Sequence, residues 1–171
     1  MLELFPETAV VEDGELTLGG LGTSELASRH GTPLLVYCER TIRSQVQAYR
    51  EAAPGALVAY GTKAFANVAL LRLLAEEGAG ADVSTLGELA FARAAGIPGE
   101  RLVFHGNNKS EVELETALKV GVGRIVADSF AELDRIEALV TRGFAAPAVM
   151  VRVTPGVEAH THEYLETAVD D

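Results

Sequence analysis

The sequence predicts an α/β fold: a parallel (β/α)8, TIM-like barrel of which about five strands are present. Three observations predict it. Short apolar runs, too brief for helices, alternate with segments of helical period. The alternation repeats every roughly 21 to 24 residues, the size of a βα unit. Each apolar run also ends in polar side chains. Parallel neighbours need a crossover connection, and the crossover helices cover the faces of the sheet, so such strands read as nearly continuous apolar segments.

Residues 1–33 stand apart as a β hairpin and short helix, and residues 34–171 form the barrel segment. "TAVVEDGELTLGG" reads as a strand, an Asp-Gly turn and a second strand. "GGLGTSELASRHG" carries glycines, a Thr-Ser helix start and a Gly stop, so it makes a short helix. Its glycines are turn chemistry, because a dinucleotide loop needs a preceding strand, a fixed glycine spacing and an acidic residue further on. "TPLLVY" and the helix "ERTIRSQVQAYREAA" open the repeat. The units are "LVAYGTK" with "NVALLRLLAEEG", "GADVS" with "GELAFARAAG", "RLVFHGNNKS" with "EVELETALKVG", "RIVADS" with "FAELDRIEALVTRG", and then "AVMVRVTPG". In the fourth unit Phe130, Leu133, Ile136 and Val140 fall on one helical stripe.

Asp and Glu outnumber Lys and Arg by 25 to 14, so the molecule repels polyanions, and nucleic-acid binding is not expected. The single cysteine, Cys38, cannot form an internal disulfide and reads as a core residue beside a strand in a reducing compartment. No basic leader with an apolar run opens the chain, and no apolar stretch approaches the roughly 20 residues that cross a bilayer. These features predict a soluble cytoplasmic protein.

The strand ends carry the chemistry. Lys63 closes the first, Asp82 and Ser84 the second, His105, Asn107 and Asn108 the third, Asp128 and Ser129 the fourth, and Arg152 with Thr154 the fifth. In parallel α/β folds the carboxyl ends of the strands form the rim where ligands bind. Asp128-Ser129 and Asn108 to Ser110 also suit plain helix caps. Lys63 does not, since a lysine is a poor N-cap and sets positive charge against the positive end of a helix. Apolar neighbours and a helix N-terminus both disfavour its ammonium form, which suits a nucleophilic amine and Schiff-base chemistry. A surface lysine is the plainer alternative on these grounds alone.

"AYGTKAF", "GADVSTLGEL", "LVFHGNNKS" and "VRVTPGVEAHTHEY" occur in that order, and together they resemble the diaminopimelate decarboxylases. That family lies in the alanine-racemase-like, fold-type III group of pyridoxal-phosphate enzymes, with the ornithine and arginine decarboxylases. The resemblance covers roughly residues 30–171. It implies a barrel joined to a β domain, a homodimer with shared active sites, and conversion of meso-diaminopimelate to L-lysine and CO2. It implies Lys63 as the residue that holds pyridoxal 5′-phosphate covalently, and Asp82, His105 and Arg152 around the cofactor. It also implies Glu88, one and a half turns into the next helix, as support behind them. Thr85 and Leu86 depart from the small residues more usual there.

His160 and His162 would share one face of a strand with Glu163 nearby, but third and fourth metal ligands are not evident, and no metal is expected. A complete barrel needs about 250 residues. The family's glycine-rich phosphate loop and most of its substrate-binding residues lie later than Asp171. The chain is therefore expected to be the amino-terminal portion of the enzyme, inactive alone and completed by a carboxyl-terminal half on which the hairpin packs. The alternatives are a decarboxylase for ornithine, arginine or another diamino acid, or a non-catalytic half-barrel interaction fragment.

Overall fold

A computed structural model of the chain describes residues 2–153. Thr154 and the motif around His160, His162 and Glu163 lie outside the described residues. An antiparallel sheet of β1 (Val10–Glu12), β2 (Glu15–Leu18) and β3 (Leu21–Gly22) comes first. The hairpin turn is as the Asp-Gly pair predicts: Asp13 and Gly14 take φ of 50° and 83°, positive values that fit the right-handed twist of the flanking strands. β3 is an addition that the sequence did not announce.

Helix α1 (Thr23–His30) follows, but the Thr-Ser start does not cap it. Gly22 occupies the cap position and has no side chain, so the carboxylate of Glu15 on β2 accepts the Ser24 N–H at 2.8 Å instead. That bond, with the Ser24 side chain, holds the Glu15 carboxyl below its ordinary range.

"TPLLVY" is not a strand. Residues 33–37 run without a ladder partner, and Leu35 and Tyr37 are exposed. A β-rich composition makes a strand only where a neighbour takes its hydrogen bonds. Cys38 is not in the core either. It sits half-buried at the start of α2 (Glu39–Ala52), with Sγ 3.1 Å from Thr8 Oγ1. Burial pushes its thiol up, but hydrogen bonds from Thr41, Thr8 and the Arg40 backbone outweigh that and leave it below the usual value.

The main sheet has five parallel strands in sequential order: β4 (Ala59–Gly61), β5 (Gly80–Val83), β6 (Leu102–Phe104), β7 (Arg124–Ala127) and β8 (Val149–Val151). This is the strand order of a TIM-like barrel, as the sequence predicts. Helices α3 (Val68–Glu76), α4 (Leu86–Ala94), α5 (Glu111–Val120) and α6 (Phe130–Thr141) make the crossovers. They close the core with Leu71, Leu74, Leu89, Leu114, Ile136 and Leu139 over Val83, Phe104 and Ile125. Each such leucine stabilises by about 1.5–3 kcal/mol through burial.

The fourth helix departs from its expected stripe. Ile136 and Leu139 are buried, whereas Phe130, the first helical residue, is 86% exposed because it stands on the rim beyond the core. β8, which pairs only with β7 among the described residues, exposes Val149, Met150 and Val151. Beneath the sheet the strands approach so closely that a Cβ at Gly80 would overlap the Arg101 carbonyl, and one at Gly123 the Glu100 carbonyl. Arg43 ties α2 to the end of α3 by bonding Glu39, Glu76 and Glu77, with the Glu77 contact at 2.6 Å. No helix among the described residues is long and apolar enough to cross a membrane.

Candidate functional site

Because the five strands run parallel in sequential order, their carboxyl ends lie along one edge. Three of the four helix starts there share a local design. Thr85 accepts the Glu88 N–H at 3.2 Å, Ser110 the Glu113 N–H at 3.3 Å, and Ser129 the Glu132 N–H at 3.3 Å. The cap reading of Ser129 and Ser110 is thus correct. Thr85, the departure in the second motif, is also a cap, and Leu86 beside it is half-exposed on the rim.

Lys63 lies in the turn that follows β4, two residues past the strand, and its side chain is exposed. Helix α3 begins only at Val68 and is capped by Asn67, so neither a helix N-terminus nor apolar walls enclose the amine. Among the described residues none of its ammonium donors is engaged. The backbone beneath it is held firmly. Thr62 is 1% exposed; its N–H donates to the Asp82 carbonyl at 3.0 Å, and its hydroxyl lies 2.8 Å from both that carbonyl and Glu88 Oε2. Glu88 Oε2 also accepts the Ser84 N–H at 2.7 Å. Glu88 is the third residue of α4, not one and a half turns in, which is why its carboxylate reaches back to the rim.

Asp82 is in β5, opposite Gly61 of β4 and Val103 of β6. Its Oδ2 is 3.2 Å from His105 Nδ1, and its Oδ1 is buried with no hydrogen-bond partner among the described residues. His105 continues the β6 ladder through its N–H to the Val83 carbonyl at 2.8 Å and leaves its ring about 40% exposed. With Nδ1 facing a carboxylate, Nε2 is the nitrogen presented outward. Arg152, just past β8, pairs with Asp128 at 3.2 Å and is half-exposed. Asp128 is therefore an ion-pair partner rather than a cap. A cleft of about 400 Å³ opens beside this pair, lined by Phe130 and Leu133.

The structure thus brings Asp82 and His105 into contact and joins Glu88 to the residue before Lys63, while Arg152 stands further along the same rim with Asp128. Two residues escaped sequence reasoning. Thr62 looked like filler between Gly61 and Lys63; a polar residue closing an apolar run is the signal that marks it. Lys109 is 1% exposed. Its Nζ donates to the Gly106 carbonyl at 2.7 Å and the Val126 carbonyl at 2.6 Å, and pairs with Glu132 at 2.9 Å. Asn107 and Asn108 of the same loop are exposed.

An apolar groove of about 380 Å³ between α2 and α3, lined by Ile42, Val46, Leu70 and Leu74, offers no charged side chain, so the chemistry is placed on the rim. An exposed amine, a carboxylate with an orphaned oxygen, an imidazole and a guanidinium together suit a ligand that carries both a carbonyl and negative charge. Among the described residues no group of three or more side chains could hold a metal ion.

Residues 39–171 match the family model of the pyridoxal-dependent decarboxylases, pyridoxal binding domain. The diaminopimelate decarboxylase of Bacillus methanolicus is 45% identical over 168 residues, 96% of this chain and 39% of that protein. The M. jannaschii diaminopimelate decarboxylase crystallised with L-lysine superposes with a TM-score of 0.82 at 35% identity, covering 89% of this chain and 37% of that one. The lysine/ornithine decarboxylase of Vibrio vulnificus with bound putrescine gives 0.67 at 26%, over 78% of this chain and 37% of that one. The chain spans about two fifths of the length of the curated relatives it matches.

Proposed function

The chain belongs to the pyridoxal-dependent decarboxylases, and from that premise we propose that the full-length protein decarboxylates meso-diaminopimelate to L-lysine and CO2 with pyridoxal 5′-phosphate. The observation that carries this is Lys63: an amine at a strand end, on an anchored turn, with no engaged donor among the described residues. The higher identity to diaminopimelate decarboxylases than to the lysine/ornithine enzyme favours that substrate over ornithine.

Bound pyridoxal supplies the electron sink for the pair left behind when the carboxylate departs as CO2. Lys63 would hold the cofactor through its amine, yield its place to the substrate's amine, and then be free to move a proton at the reacting carbon. The orphaned Asp82 Oδ1 is an acceptor positioned for a protonated nitrogen, and Asp82 Oδ2 fixes the orientation of His105. The Arg152 guanidinium offers donors to an anionic cofactor or substrate, and His105, turned by Asp82, presents its ring and Nε2 to the same rim. Glu88 works behind these groups, through Thr62 and Ser84. The homodimer with shared sites, the cytoplasmic location, the pairing with a carboxyl-terminal half and the inactivity of residues 1–171 alone belong to the same proposal.

The test is borohydride reduction of full-length protein loaded with pyridoxal 5′-phosphate, followed by peptide mapping, with CO2 release measured from meso-diaminopimelate, ornithine and arginine side by side. The expected result is a label on Lys63 and turnover of meso-diaminopimelate alone. A label on Lys109, or faster turnover of ornithine, overturns the assignment.

A further inference from the structure

We propose that Thr62 is a positioning residue for Lys63, a latch that fixes the backbone beneath the reactive amine while leaving the amine free. The inference rests on the reading of Lys63 as the cofactor-holding lysine. Thr62 is pinned at two groups. Its N–H and hydroxyl both reach the Asp82 carbonyl, at 3.0 and 2.8 Å, and the hydroxyl also reaches Glu88 Oε2 at 2.8 Å. A hydroxyl has one proton, so two acceptors at equal distance share it. Glu88 is itself held from two sides, by the Ser84 N–H at 2.7 Å and by its own N–H on Thr85.

The same device recurs two units later. Glu132, third in its helix as Glu88 is, accepts the Asp128 N–H at 2.9 Å and the Lys109 N–H at 3.2 Å. There the glutamate also takes the lysine's ammonium at 2.9 Å and buries it. At the first site the glutamate meets a hydroxyl one residue before the lysine. Its charge is satisfied by Thr62 and Ser84, and among the described residues no group takes the amine of Lys63. Thr62 is what separates a glutamate that anchors a lysine's backbone from one that neutralises its side chain.

Thr62→Val keeps the β-branched shape and removes only the hydroxyl. It leaves the half-buried Glu88 carboxylate one donor short and the turn under Lys63 loosened. The full-length enzyme is titrated with pyridoxal 5′-phosphate, following the visible band of the lysine-bound cofactor. Steady-state rates with meso-diaminopimelate are then measured at cofactor saturation and well below the melting temperature. For Thr62→Val the expected result is about tenfold weaker cofactor binding and about tenfold lower kcat, with KM changed by less than about twofold. Thr62→Ser, which restores the O–H, should recover both.

If Thr62→Val does not fold, Glu88→Gln tests the other end of the bond and must weaken cofactor binding in the same sense. Wild-type cofactor affinity and kcat in Thr62→Val, even with a lowered melting temperature, overturn the latch and leave Thr62 a packing residue. Borohydride mapping of the wild type separates the two levels. A label away from Lys63 overturns both readings, whereas a label on Lys63 with an unaffected Thr62→Val overturns the latch alone.

Discussion

Lys63 and Lys109 both stand in loops that follow strands of the same sheet, after β4 and after β6, and at each a glutamate third in the helix of the following unit reaches back to the loop. Their surroundings are opposite. Lys109 is 1% exposed, and two carbonyls and a carboxylate take its ammonium. Lys63 is exposed, and the glutamate of the following unit, Glu88, is held by Thr62 and Ser84. One lysine is part of the scaffold and the other is presented to the rim. A lysine at a strand end is thus not in itself a reactive lysine: its chemistry depends on whether a neighbour consumes its donors, and that is decided by residues on either side of it.

Lys63→Ala sharpens the contrast most. It is expected to abolish covalent attachment of the cofactor and to lower turnover by about a thousandfold or more, with folding stability within about 0.5 kcal/mol of wild type. A visible cofactor band persisting in this variant would break the comparison, and absorbance with chemical denaturation measures both halves of the claim.

Glu132→Ala probes the other side. It strands a buried ammonium and is expected to destabilise by about 3–5 kcal/mol, while any protein that folds still carries the cofactor on Lys63. The double replacement Lys109→Met with Glu132→Leu should recover most of that loss, because the desolvation of both charges is removed together. Urea unfolding of the three forms decides; a Glu132→Ala variant as stable as wild type makes the buried pair irrelevant.

How much of this contrast was legible in the sequence follows from its physics. Strands and helices were readable because their apolar periods are local, and the Ser/Thr-x-x-Glu caps are local too. The rim residues Lys63, Asp82, His105, Glu88 and Arg152 were readable through four ordered motifs. The partnership of Lys109 with Glu132 was not, since the two lie 23 residues apart and nothing in either neighbourhood names the other. "TPLLVY" opens the repeat by composition yet forms no strand, because strand formation needs a partner that composition does not reveal. Phe130 fitted a helical stripe by arithmetic, yet as the first residue of its helix it stands outside the core.

The smallest effect distinguishes surface electrostatics from either lysine. Hydrogen bonds from Arg43 hold the Glu77 carboxyl below its ordinary 4.5, and those from Ser24 do the same for Glu15. A depressed folded-state value stabilises fully above the ordinary value and loses that stabilisation as pH falls through the depressed one. Stability should therefore decline below about pH 4.5, and Arg43→Gln should flatten the decline modestly. Urea midpoints followed from neutral to acid pH measure it; an unchanged slope in Arg43→Gln removes Glu77 from the acid response.

The sequential order of the five strands also has a consequence in time. Each ladder joins strands one βα unit apart, as in Ala59 with Gly80 and Ala81 with Leu102, so every pairing closes a loop of similar, modest length. No strand has to wait for a distant segment. Each unit can dock as soon as the one before it is in place, a low-contact-order route that a ribosome-bound chain can follow from its amino end. The glycines beneath the sheet act as checkpoints on that route. At Gly80 the Arg101 carbonyl of the following unit, and at Gly123 the Glu100 carbonyl of the preceding connection, fit only against a bare backbone, which favours one register for each docking unit. Pulsed hydrogen exchange should then find β5 and β6 protected before β8.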